Sequence, residues 1–168
     1  MSTFFAIALL VSILGGFAGQ KPSSSATSEH HQQVARRGDA VMGFSHLETT
    51  HHFRLFRDGG EIEVLANDPR DTATRDKIRM HLEHIAKLFA AGNFEAPMLI
   101  HGRTPPGVPV MKERRADIGY RFEATARGGR VEITTHDPRA LQAVHEFLRF
   151  QIADHQTRDS TKVTSRKN

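Results

Sequence analysis

Histidine and methionine are the side chains whose abundance in this sequence suggests chemistry. The chain has 11 histidines and five methionines but no cysteine. Imidazole nitrogen binds zinc, nickel and copper, and thioether sulfur adds a preference for copper. The first functional hypothesis is therefore a small, exported, non-enzymatic protein that binds a transition metal, with copper favoured and zinc as the other candidate. The residues predicted as ligands are His51, His52, Met80, His81, His84, Met98, His101 and Met111.

The spacing of these residues allows a few of them to share a metal ion but matches no specific metal-binding motif. His81 and His84 are three residues apart and Met80 and His84 are four apart, so each pair lies on one side of a helix. On a strand, His51 points to the buried face and His52 to the other. No HExxH motif accompanies them. The alternative is that the histidines are structural and form hydrogen bonds at the edges and caps of elements.

Nucleophilic catalysis has little support in the sequence. No GxSxG motif exists, and Ser45 and Ser160 lack the strand–turn–helix context of a nucleophile elbow. Glu61 and Glu63 are expected on the solvent-facing side of a strand, in ion pairs with arginines of neighbouring strands. A histidine-based enzyme with its site beneath residues 93–117 is therefore the weakest of the functional hypotheses.

An internal repeat predicts the scaffold that positions these side chains. Residues 52–70 (HFRLFRDGGEIEVLANDPR) and 121–139 (RFEATARGGRVEITTHDPR) align without a gap and share a Gly-Gly turn and an Asp-Pro-Arg end. Apolar residues alternate on both sides of each Gly-Gly turn, which is typical of a hairpin. An amphipathic helical pattern follows each copy, so the chain repeats one supersecondary unit.

Two ββα units, at about 51–92 and 118–156, define the predicted fold. A single hairpin cannot bury its apolar face alone. The sequence therefore predicts an α+β domain over 41–158, in which the two units form a four-stranded antiparallel sheet with two helices on one face. The connecting residues 93–117 are rich in proline and apolar side chains, and we expect them to form an ordered strap against the domain.

The predicted helix of the second ββα unit has an apolar surface that a partner could cover. Phe147 and Phe150 lie off its main apolar stripe, close to Val144. A helix that is apolar on two sides must be covered. Either the strap covers it, or a second copy does, in which case Val144, Phe147 and Phe150 form a homodimer interface. A non-catalytic homodimeric interaction module is accordingly the second functional hypothesis.

The N-terminal sequence indicates export. Within residues 1–20, the apolar run that begins at Phe4 and is broken at Ser12 has the size of a signal-peptide core and is too short for a membrane span of about 20 residues. Cleavage is expected after Ala18 or Ala26. The missing positive charge at the start leaves an uncleaved anchor as an alternative. We expect a periplasmic or secreted protein with no membrane span in its mature form.

Composition and charge narrow the remaining possibilities. The polar, Ser-rich residues 21–40 are expected to form a flexible spacer, and residues 159–168 a disordered tail. The absence of cysteine excludes disulfides, thiolate metal sites and a lipoprotein anchor. The net charge of +4 is scattered rather than concentrated in a stripe, so no nucleic-acid partner is expected.

Several strings carry a resemblance to a protein family. TTHHFRL, DGGEIEV, TPPGVPVMK and HEFLRFQIADH, spread over roughly 41–159, resemble a family of short, exported, uncharacterised bacterial proteins. The resemblance implies an exported single-domain protein and no particular mechanism. Some relatives carry a transcarbamylase label, but this chain is too short for that enzyme and lacks its Ser-Thr-Arg-Thr-like phosphate-binding helix start.

Overall fold

The computed structural model describes residues 24–166, so the predicted signal peptide lies outside the described residues. The elements, in chain order, are α1 (Ser24–Met42), β1 (Thr49–Phe56), β2 (Gly59–Ala66), α2 (Thr72–Ala90), α3 (Glu95–His101), α4 (Val108–Glu113), a 3-10 turn (Arg115–Asp117), β3 (Ile118–Thr125), β4 (Gly128–Thr135) and α5 (Pro138–Asp154). Over residues 24–166, no helix has the length and apolar character that crossing a membrane requires.

The four strands form one antiparallel sheet in the order β1-β2-β4-β3. Ile62 lies opposite Phe53 of β1 and Val131 of β4, so the apolar residues of neighbouring strands fall on the same face. α2 and α5 cover that face and bury it in a single core. The predicted α+β fold with a four-stranded antiparallel sheet is confirmed.

α2 and α5, the helices of the two repeats, each pack largely against the hairpin of the other repeat. α2 follows β2 but lies mainly on β3 and β4, whereas α5 follows β4 and lies mainly on β1 and β2. The apolar face of each hairpin is thus buried by a helix from the other half of the chain. This interlocking explains why the two units form one core.

The two helices begin at different places relative to the repeat. Asp137 caps α5 by accepting a hydrogen bond from the Ala140 N–H, with Pro138 in the first turn. The repeat aligns Asp68 with Asp137, but Asp71 is the residue that caps α2, through the Thr74 N–H. Asp68 instead accepts a hydrogen bond from the Arg70 N–H in the preceding turn.

The predicted flexible spacer over 21–40 is wrong for the residues that the structure describes, since α1 starts at Ser24. Val34 of α1 is buried, and the Arg37 Nε donates to the Ile100 carbonyl of α3 at 2.7 Å. These long-range contacts stabilise a helix whose polar sequence alone does not predict one.

The strap, residues 93–117, is ordered and contains α3 and α4 rather than irregular chain. Val108 and Met111 of α4 are fully buried. Gly107, with φ of 81°, allows the strap to approach α5 closely, because a Cβ at this position would lie 2.1 Å from the Ala143 carbonyl oxygen. The strap therefore packs directly on α5.

The predicted disordered tail is also wrong where it is described. Thr164 forms a bridge with Phe56 of β1: its N–H donates to the Leu55 carbonyl at 3.0 Å and its carbonyl accepts from the Arg57 N–H at 3.1 Å. The Arg166 guanidinium lies 4.6 Å above the Phe56 ring. These residues cover the outer edge of β1.

Candidate ligand-binding cleft

Three aromatic rings form a column where α1, β1 and α5 meet. His51 of β1 stacks against His155, with ring centroids 5.8 Å apart and planes 7° apart. On its other side His51 stacks with Phe44, which follows α1, at 6.3 Å. His155 is the residue that ends α5, and its backbone N–H donates to the Gln151 carbonyl. Three separate elements therefore fix the two imidazoles.

Both imidazoles of the column are uncharged at neutral pH. Burial, with repulsion from His81 and other neighbouring histidines, lowers the pKa of His51 to about 4. Burial and the proximity of His51 and His101 lower the pKa of His155 to about 3. A pKa this low means that protonating either ring in place is unfavourable.

The Nε2 atom of His51 is buried and has no hydrogen-bond partner among residues 24–166. A buried polar atom left in this state costs about 1–3 kcal/mol, and the great majority of such atoms in folded proteins have a partner. An unpaired nitrogen of this kind is a position where a ligand could supply the missing contact.

His51 and His155 separate two adjoining cavities. The larger, of about 320 Å³, is a cleft with an apolar wall from α1, including Val34 and Met42, and a polar wall from the start of β1 and the end of α5. The smaller, of about 60 Å³, extends towards the core and is mostly apolar. Met42, His51 and His155 line both cavities.

A buried carboxylate stabilises the floor of the cleft. Asp154 Oδ2 lies 2.6 Å from His101 Nδ1, and Asp154 Oδ1 lies 2.8 Å from His30 Nε2 on α1. Burial opposes ionisation of Asp154, but the hydrogen bonds from His30 and His101 outweigh it and hold the pKa of this carboxyl below its usual value. Asp154 thus connects α1, α3 and α5 through one ionised group.

His101, a predicted metal ligand, has both ring nitrogens occupied. Besides its contact with Asp154, its Nε2 lies 2.9 Å from Gln151 Oε1. Its ring packs against His155 at 4.9 Å and Phe150 at 4.8 Å. His101 therefore supports the cleft from below and offers no free nitrogen to an ion.

The structure brings together only part of the predicted ligand set. His81 lies near His51 and contacts the Phe44 ring edge to face, with centroids 5.7 Å apart, and burial and the neighbouring His84 lower its pKa to about 4. His52 points to the opposite face of the sheet, with its Nδ1 3.0 Å from Asp159.

The remaining predicted ligands are dispersed. Met80 and His84 are exposed on α2, Met98 is half-buried on α3, and Met111 is fully buried in the core. Across residues 24–166, no three His, Asp or Glu side chains are placed so that they could hold a metal ion. The predicted eight residues therefore do not form one site.

The most informative residues of the cleft were absent from the predicted ligand set. His155 and Asp154 end a strongly apolar helix, and His30 lies in the Ser-rich segment that was predicted to be flexible. A sequence pattern that points to these residues is the placement of Gln151, Asp154 and His155 at the end of α5. Gln151 and Asp154 are polar side chains on the buried side of this helix.

The strap supplies the cover that α5 requires. Phe147 is 1 % exposed, and its ring packs against Phe89 at 6.0 Å and Phe94 at 6.2 Å. Val144 is fully buried, and Phe150 is half-buried beneath the Arg103 guanidinium at 4.7 Å. The same chain therefore covers Val144 and Phe147, so these two residues of the predicted homodimer interface are not available to a partner, whereas Phe150 remains partly exposed.

No protein-family model, curated protein or solved structure matches this chain. Function must accordingly be inferred from the cleft itself. General bases work best with a pKa near the operating pH, and imidazoles with a pKa of about 3 to 4 are weak bases. His51 and His155 are therefore poorly suited to act as general bases.

Proposed function

We propose that this protein is a non-catalytic binding protein for a small, uncharged organic molecule that carries a hydrogen-bond donor, and that the molecule occupies the cleft between α1, β1 and α5. The single observation that carries the proposal is the buried, unpaired Nε2 of His51. A donor on the ligand would pair this nitrogen and remove the cost of leaving it unsatisfied.

The size and lining of the cleft support this class of ligand. Its volume of about 320 Å³ lies at the lower end of the range for pockets that hold small molecules. Val34, Ala35 and Met42 offer an apolar wall, while Thr50 and Gln156 place polar groups at the rim. An apolar body with one or two polar groups fits such a surface.

The charge of the cleft disfavours an anion. No lysine or arginine lines it, and both imidazoles of the column are neutral. Asp154 is an ionised group in the lining, and the nearest guanidinium, that of Arg103, already lies 3.8 Å from it, so a carboxylate or phosphate would meet a like charge whose cation is engaged. A cation would have to compete with His30 and His101 for the same carboxylate.

Binding of three matched probes tests the proposal. Phenol has a flat apolar ring and an O–H donor, anisole has the same ring without the donor, and benzoate is an anion. We expect phenol at millimolar concentration to perturb the NMR signals of His51 and His155. Anisole should bind at least about tenfold more weakly, because it buries Nε2 unpaired, and benzoate should also bind more weakly. Equal affinities for phenol and anisole would contradict the proposal.

Two variants test whether the preference for phenol over anisole depends on His51. His51→Phe keeps a stacked ring but removes Nε2, so phenol should lose its advantage over anisole. His84→Phe makes the same change at an exposed position on α2 and should retain the preference for phenol. Copper and zinc titrations belong to the same experiment, since stoichiometric metal binding that His51→Phe abolishes would overturn the proposal in favour of the metal hypothesis.

We also propose that the protein is exported, to the periplasm or outside the cell. The apolar segment within residues 1–20 supports this location. Intact-mass measurement on the secreted or periplasmic fraction should give a chain that begins at Gly19 or Thr27. A full-length chain confined to the cytoplasm would contradict it.

A further inference from the structure

The two edges of the sheet differ in how they are protected. Residues near Thr164 cover the outer side of β1, as described above. β3 is the other edge strand, and none of the residues from 24 to 166 forms a strand on its outer side. Its pairing with β4 runs through eight consecutive residues without a bulge, and β3 contains neither proline nor lysine. Bulges and prolines are two of the features by which unpaired edge strands avoid pairing with another chain, and the two charges of β3, Arg121 and Glu123, are of opposite sign.

The charges of β3 are arranged symmetrically about its centre. Arg121 and Glu123 flank Phe122 and point to the face of the sheet that the helices leave open. If two β3 strands pair antiparallel about Phe122, Arg121 of each copy faces Glu123 of the other. Opposite charges at directly facing positions stabilise a strand pair, and a twofold axis forms the contact twice.

Rows of charge across the open face extend this complementarity. One row runs Arg54, Glu61, Glu132 and Arg121 from β1 to β3, and the next runs His52, Glu63, Arg130 and Glu123. The ends of the rows are ordered by ion pairs, with Arg121 2.6 Å from Glu132 and Arg130 2.8 Å from Glu123. One row thus ends on β3 in a positive charge and the other in a negative one.

We propose that β3 is the interface of a homodimer in which two copies pair antiparallel about Phe122 and form a continuous eight-stranded sheet. Each charge row of one copy then continues into the opposite row of the other. On the helix side, the half-buried Phe122 rings of the two copies meet at the axis. The cleft lies at the β1 end of the sheet, so both copies keep it accessible, and the dimer is independent of ligand binding.

Charge reversal tests the register as well as the interface. Wild-type protein should sediment as a dimer at micromolar concentration. Arg121→Glu and Glu123→Arg each create two like-charge contacts across the axis, besides one within each copy against Glu132 or Arg130, and each should raise the dimer dissociation constant at least about tenfold. The double variant Arg121→Glu/Glu123→Arg restores opposite charges across the axis and should recover dimerisation.

The control is Arg149→Glu, which reverses a charge at an exposed position on α5 and should remain dimeric. Circular dichroism checks that each variant is folded. A monomeric wild type would overturn the proposal. So would a dimer that both single variants leave intact, or a folded double variant that stays as monomeric as the single ones.

Discussion

His51 and His155, which are 104 positions apart in sequence, stack with their ring planes 7° apart and their centroids separated by 5.8 Å. Two neutral imidazoles tolerate this arrangement, whereas two imidazolium ions would repel each other within a buried site. The stack therefore links the protonation of these histidines to the packing of α5 against β1. It also places the unpaired Nε2 of His51 at the boundary between a polar cleft and the apolar core.

Acid should destabilise the protein through these histidines. An unfolded imidazole titrates near pH 6.5, whereas burial lowers the pKa of His51 to about 4 and that of His155 to about 3. Between these values the unfolded chain binds more protons, so the free energy of unfolding falls as the pH is lowered from 6.5. Above pH 6.5 their contribution is complete and constant.

Urea unfolding at a series of pH values measures this effect. The loss between pH 6.5 and 4 should amount to several kcal/mol for wild type, on the order of 1.4 kcal/mol for each pH unit of displaced pKa. His51→Phe should flatten the profile in this range, whereas His84→Phe should follow the wild type. Identical profiles for all three proteins would show that His51 is not buried in its neutral form.

Removing the Asp154 carboxylate should loosen three helices at once. Asp154→Ala deprives the buried His101 and the α1 residue His30 of their shared acceptor. Leaving a buried polar group without its hydrogen-bond partner costs about 1–3 kcal/mol. Asp76→Ala removes an exposed carboxylate on α2 and should cost less than about 1 kcal/mol. Thermal unfolding of both variants distinguishes them, and equal melting temperatures would argue against the role of Asp154.

Comparing alanine substitutions at two glycines distinguishes the cost of backbone strain from the cost of a steric clash. Gly107 and Gly43 have similar positive φ angles of 81° and 78°, but only Gly107 would place a Cβ in contact, against the Ala143 carbonyl. Gly43→Ala should cost about 1–2 kcal/mol, the strain of a left-handed residue. Gly107→Ala adds the clash and should cost more, with α4 displaced from α5. Equal losses in chemical denaturation would show that the strap does not pack as described.

Phe147 should act as a core residue rather than an interface residue. It contacts Phe89 of α2 and Phe94 of the strap, so Phe147→Ala should cost about 3–5 kcal/mol. The folded fraction of the Phe147→Ala variant should have the same oligomeric state as the wild type. Phe150→Ala, at a half-buried position, is the matched comparison and should cost less. A change from dimer to monomer in folded Phe147→Ala would restore the helix interface predicted from the sequence.

The repeat made the sheet and the helices α2 and α5 predictable, because alternating apolar residues, Gly-Gly turns and amphipathic helical stripes are local signals that the structure retains. α1 was not predictable in the same way. Its sequence is polar, and it is stabilised by partners far along the chain, such as Asp154 for His30. Local patterns carry no information about such contacts.

The candidate site was only partly predictable for the same reason. Alternation correctly placed His51 on the buried face of β1, but nothing local indicates that the end of α5 would bring His155 against it. The metal hypothesis grouped residues by ligand type. Folding instead distributed Met80, His84 and Met111 between the surface and the core.

The most direct test of the central claim is the ¹⁵N NMR signal of the His51 side chain, recorded at pH 7 while phenol is added to the purified protein. A hydrogen bond from the phenol O–H to Nε2 should shift this resonance in a saturable manner, while the signal of the exposed His84 stays constant. Anisole should leave both unchanged. If phenol binds elsewhere and the His51 signal does not move, or if His51 titrates near pH 6.5 like a solvated imidazole, the cleft does not work as proposed.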